Sequence, residues 1–144
     1  MRLLVAFLIA PTLSFAFDVN VLTLDNINEI ENPYQSAMEN NNGSDMELVK
    51  NYTRFETCRG IVVENAGRMW SMEKASKRGE TKQEIMDYHS KTFEGVTQEE
   101  IEMIGALKAA MEAIELAYEY KDNQEAFPKA AMAKCLKIEA EKFL

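Results

Sequence analysis

Two cysteines, Cys58 and Cys135, lie far apart in the chain, and each falls on an apolar stripe with helical spacing. If they are joined, an early helix and the last helix must meet across one core. That condition excludes most ways of arranging a chain of this length. The first stripe is Leu48, Tyr52, Phe55, Cys58, Val62, Ala66 and Met69, with steps of three and four throughout. Such steps place the residues on one face of an α-helix. The second stripe is Phe127, Ala131, Cys135 and Ile138.

Whether the cysteines are joined depends on the compartment, which the first sixteen residues address. Met1-Arg2 is a short positive start, Leu3 to Ala10 is an unbroken apolar run, and Ser14-Phe15-Ala16 places small residues at the two positions a signal peptidase reads. Even taken on to Phe17, the stretch has Pro11 inside it and falls short of the roughly 20 apolar residues a membrane span needs. Residues 1–16 are therefore expected to be a signal peptide cleaved after Ala16, with no stable membrane insertion afterwards. Cleavage removes Arg2 with the segment, leaving 128 of the 144 residues and a net charge of −9 instead of −8. An even number of cysteines in an exported chain reads as a disulfide, here Cys58–Cys135. Loop-closure entropy gives such a bridge roughly 4 kcal/mol.

The rest of the chain divides at residue 44. Residues 17–43 are expected to form an irregular N-terminal arm: Phe17, Val19 and Val21 alternate as in a short strand, Leu24, Ile27 and Ile30 step by three, and Asn40-Asn41-Asn42-Gly43 breaks the pattern. The arm is left open between lying on the core and staying mobile. Residues 44–144 are expected to form a helical domain. A long helix begins at Ser44 or Asp45 and runs to about Lys77, with Gly79 as its stop. Thr81 and Glu84 make a capping box for a second helix carrying Ile85, Met86, His89 and Phe93. Thr97 and Glu100 make another, for a third helix running to about Lys121. A last helix follows Asp122, with Pro128 near its first turn. The expected fold is all-α, a compact bundle of about four helices pinned by one disulfide. Gly60 and Gly67 in the long helix, with the alanines of the third, are expected to mark close approach of helix backbones.

Composition and motifs narrow the function classes. A net charge this negative disfavours nucleic acid and anionic membrane surfaces, and favours basic partners. One histidine, His89, cannot build an ordinary zinc site, and no C-x-x-C-H haem attachment or G-x-S-x-G motif is present. No catalytic, metal or cofactor-binding residues are assigned, and no cofactor is expected. Two surface features remain as candidates for binding a partner. Glu112, Glu115 and Glu119 form a like-charged stripe on the third helix, and Trp70 sits just off the main apolar stripe of the long one.

Cys58 in a long helix, Arg78-Gly79-Glu80-Thr81 at the following turn, Ala117-Tyr118 near the end of the third helix and Cys135 in the last accompany the export signal. In this combination the chain resembles the small exported two-cysteine all-helical proteins of Gram-negative bacteria and their phages. The resemblance implies a periplasmic location and a disulfide-pinned helical fold. It implies no mechanism, since most of that group has no assigned activity. The favoured expectation is a non-enzymatic binding or inhibitory protein acting on a basic cell-envelope protein, such as a cell-wall enzyme or a lysis regulator. The alternatives are a periplasmic stress chaperone and a ligand- or haem-binding bundle.

Overall fold

A computed structural model describes residues 17–144. The expected signal peptide, residues 1–16, lies outside the described residues. Among the described residues the protein is all-α, with helices α1 (Gln35–Asn41), α2 (Met46–Lys77), α3 (Lys82–His89), α4 (Gln98–Met103), α5 (Gly105–Glu119) and α6 (Phe127–Leu136). Short 3-10 turns at Val19–Val21, Lys91–Phe93, Gln124–Ala126 and Ala140–Phe143 connect or extend them.

The long helix α2 is the spine against which α1, α3, α5, α6 and the C-terminal turn pack. It begins where Asp45 accepts hydrogen bonds from the N–H groups of Glu47 and Leu48. It buries Phe55, Cys58, Val62, Asn65, Met69, Met72 and Ala75, the face marked by its apolar stripe. At its end Gly79 adopts φ +89°, a left-handed conformation that side-chain-bearing residues rarely take. The Cys58–Cys135 disulfide joins the middle of α2 to the end of α6, and both residues are buried. Phe55, Val62, Phe127, Ala131 and Met132 belong to the same core.

Both capping boxes form. The N–H of Glu84 donates to Thr81 Oγ1 at 3.2 Å, and the N–H of Thr81 donates back to Glu84 Oε2 at 2.8 Å. Thr97 and Glu100 repeat the arrangement. Donors given to the ionised carboxylate favour it, so both glutamates are held below the usual carboxylate range.

The compact all-α fold is as expected; among the described residues it has six helices where about four were expected, for identifiable reasons. The expected third helix is broken at Ile104, whose extended backbone (φ −105°, ψ 106°) separates α4 from α5. The break lets Gly105 enter the core beneath the C-terminal residues. A Cβ at Gly105 would stand 2.7 Å from the Phe143 ring and 3.0 Å from the Lys142 carbonyl oxygen. The buried face of α5 is then Ile114 with the small residues Gly105, Ala109, Ala113 and Ala117, in a helix packed on α2, while Ile104 is exposed. Phe93 leaves the second helix, which ends at His89, and joins the following 3-10 turn. Gln124–Ala126 is likewise a 3-10 turn, so α6 starts at Phe127 with Pro128 in its first turn.

The arm is ordered against the core. Leu22 and Ile27 are buried, and Phe17 meets Phe55 edge-to-face with centroids 4.9 Å apart. Val19–Val21 is a 3-10 turn, not the strand its alternation suggested, and no neighbouring strand is present among the described residues to pair with it. A polar clamp fixes the second half of the arm. Buried Asn32 donates through Nδ2 to the Tyr52 carbonyl at 3.1 Å and to Glu56 Oε1 at 2.9 Å. Arg59, paired with Glu56, donates to the Ile30 carbonyl. The extra helix α1 follows this clamp.

Gly60 and Gly67 do not mark close helix contacts. Both are exposed, and a Cβ at either would have nothing within 4 Å. Replacing each by alanine removes a backbone-entropy cost without a clash, so G60A and G67A should each stabilise the protein by about 0.5–1 kcal/mol. G105A should instead destabilise it by about 1–3 kcal/mol, because backbone as well as ring must move. Urea-unfolding midpoints of the three variants measure both signs.

Candidate partner-binding surfaces

The two surface features marked by the sequence end up in separate grooves. Glu112 and Glu115 on α5 line a shallow groove with Lys108 and Lys134. Glu115 is 3.7 Å from Lys82 of α3, and Lys108 pairs with Glu102 at 2.9 Å. Lys108 is raised above the usual lysine value, first by Glu102 and to a smaller extent by Glu112. The like-charged stripe is thus partly neutralised by its neighbours. Glu119 is exposed at the end of α5 and does not line this groove.

Trp70 lies in a different groove, between the C-terminal half of α2 and α3. Helical spacing puts Trp70 and Lys74 one turn apart on α2, and the Lys74 ammonium sits 3.6 Å from the indole centroid. Tyr88 and His89 form the opposite wall, their rings edge-to-face at 5.0 Å. Arg78 and Glu80 close one end with an ion pair of 2.6 Å. The groove encloses about 270 Å³.

His89 is fixed from α2. Arg68 donates to its carbonyl at 3.0 Å, and Ser71 Oγ stands 3.4 Å from its Nε2. Burial, and then the positive charge of Arg68, hold its imidazole below the usual histidine value of 6.5. Among the described residues, no group of three His, Cys, Asp or Glu side chains is placed to hold a metal ion, and no helix is long and apolar enough to cross a membrane.

A third candidate is a stretch of one-sided charge at the N-terminal end of the described residues. Between residues 17 and 49 stand Asp18, Asp25, Glu29, Glu31, Glu39, Asp45 and Glu47, with no lysine or arginine among them. None of these seven carboxylates takes part in an ion pair among the described residues. Asp45 and Glu47 help line a groove between α1 and the start of α2, together with Tyr34, Asn40 and Leu48. The signal for this surface was in the sequence as a one-sided charge run. Its meaning depended on whether the arm lay on the core, and that was fixed by the clamp of Asn32, Glu56 and Arg59.

No protein-family model, curated protein or solved structure matches the chain.

The state of His89 is measurable. The folded protein disfavours the imidazolium, whereas the unfolded chain takes up its proton near the usual value of 6.5. This contribution to stability is complete above that pH and declines as pH falls through 6.5 towards the lower folded value. An NMR titration of the single histidine should give a midpoint below 6.5. R68Q should move the midpoint back towards that value, since it removes one of the two causes.

Proposed function

We propose that the protein is an exported, non-enzymatic binding protein that docks a basic protein of the cell envelope through its acidic N-terminal face. The observation that carries this reading is the segregation of charge. Residues 17–49 hold seven carboxylates and no cation, and they are folded onto the body rather than trailing from it. A segment of one-sided charge held on a folded body attracts an oppositely charged partner over distances near the Debye length, and it is already folded before docking. The buried disulfide and the signal-like residues 1–16 support a periplasmic location. The stripe Glu112, Glu115 and Glu119 is the weaker candidate face, because Lys82 and Lys108 offset part of its charge.

Asp25, Glu29 and Glu31 are exposed and unpaired with any cation among the described residues, so their neutralisation tests the surface without touching the core. The partner is identified by photo-crosslinking in the periplasm from a probe at position 29, and its association kinetics are then measured. The triple variant D25N/E29Q/E31Q should slow association by about tenfold at low salt and change dissociation little. The effect should vanish near 1 M salt, where the Debye length is about 3 Å. E112Q/E115Q/E119Q should have a smaller effect. Failure to capture any basic envelope protein, or binding insensitive to both triple changes, would exclude this reading.

A further inference from the structure

The groove between α2 and α3 has a local charge opposite to that of the whole molecule. Two cations, Lys74 and Arg78, line it against one carboxylate, Glu80, in a protein of net charge −8. Lys74 meets only the Trp70 ring and forms no ion pair among the described residues. Arg78 pairs with Glu80, yet its side chain is 65% exposed and keeps donors free to turn into the groove.

The walls and floor supply the other half of a binding site. Ala75 and Ile85, both buried, form an apolar floor. Trp70 is 59% exposed and Tyr88 is 68% exposed, so two large rings flank that floor in contact with water. Exposed rings beside an apolar floor are the groups that gain most from being covered. A volume of about 270 Å³ suits one compact ring system rather than a folded partner. His89, neutral near pH 7, adds one donor and one acceptor at the wall.

We infer that this groove binds a small organic anion with a flat apolar body. The body covers the floor and contacts the Trp70 and Tyr88 rings, and the anionic group is held by Lys74 and Arg78. The charge complementarity is specific: a cation of the same shape meets Lys74 and Arg78 unfavourably, and a neutral analogue leaves them unanswered. The inference is independent of the acidic N-terminal face, because it rests on different residues on different elements.

Trp70 is the single tryptophan, so the protein has one indole N–H resonance and that resonance reports from the groove. The probe is 2-naphthoate, with 2-naphthamide as its neutral analogue, titrated into the oxidised full-length mature protein. The expected result is a saturable shift of the indole resonance with 2-naphthoate, at a Kd of about 0.1–1 mM, and binding of the amide at least about tenfold weaker. K74Q should weaken 2-naphthoate about tenfold while leaving the amide unchanged, and Y88A should weaken both. Both side chains are exposed, so retention of the other resonances verifies folding. Equal affinity for acid and amide would overturn the assignment of an anion. An indole resonance unmoved at about 10 mM probe, or full affinity in both variants, would overturn the site itself.

Discussion

The Cys58–Cys135 bridge is the contact on which the rest of the arrangement depends. It ties the centre of α2 to the end of α6 across a sequence separation of 77 residues, and it does so inside the core. A covalent link of that span removes a large share of the unfolded chain's freedom. Around it gather residues from four parts of the chain: Leu22 and Ile27 from the arm, Phe55 and Val62 from α2, Ala117 from α5, and Phe127 and Met132 from α6. The C-terminal residues are bound in as well, since Arg54 of α2 donates to the Ile138 carbonyl at 3.0 Å and Phe143 covers Gly105.

Local signals in the sequence read well where they were strong. The stripe through Phe55, Cys58, Val62 and Met69 located α2 and its buried face, and the two threonine–glutamate capping boxes located the starts of α3 and α4. The break at Ile104 was not legible, because the apolar spacing continues through it. Beside the break Phe143 takes the space next to Gly105, and that is a contact across the fold. Gly60 and Gly67 misled for the opposite reason: a glycine in a helix suggests a neighbour, and here there is only solvent. Alternation at Phe17, Val19 and Val21 suggested a strand, but a strand needs a partner. The segment instead turns to place Leu22 in the core.

The surface was less legible than the core. Trp70 was visible as an off-stripe aromatic residue, but the groove around it requires Tyr88 and His89 from α3, which is held by buried Ile85 and by Arg68 of α2 reaching the His89 carbonyl. Glu112, Glu115 and Glu119 read as a like-charged stripe with only Lys108 near one end, because Lys82 is remote from them in sequence while standing 3.7 Å from Glu115 in space. Glu56 and Arg59 stand three apart on α2 and form an ion pair. They hold Asn32 and the Ile30 carbonyl, and so tie to α2 a segment whose charges are all negative. The protein thus presents two surfaces of opposite character, an anionic arm and a small cationic aromatic groove, on one bridged helical body.

The central claim is that the arm is an integral part of that body and depends on its bridged core. Within the arm, the Ile27 N–H donates to the Thr23 carbonyl and the Ile30 N–H to the Asn26 carbonyl, at 3.2 and 3.1 Å. Native-state amide hydrogen exchange, followed residue by residue in the oxidised and reduced protein, tests the claim directly. The account predicts slow exchange at Ile27 and Ile30 in the oxidised protein, and a marked loss of that protection when the Cys58–Cys135 bridge is reduced. Exchange at free-peptide rates at those two amides in the oxidised protein, while α2 remains protected, would contradict it.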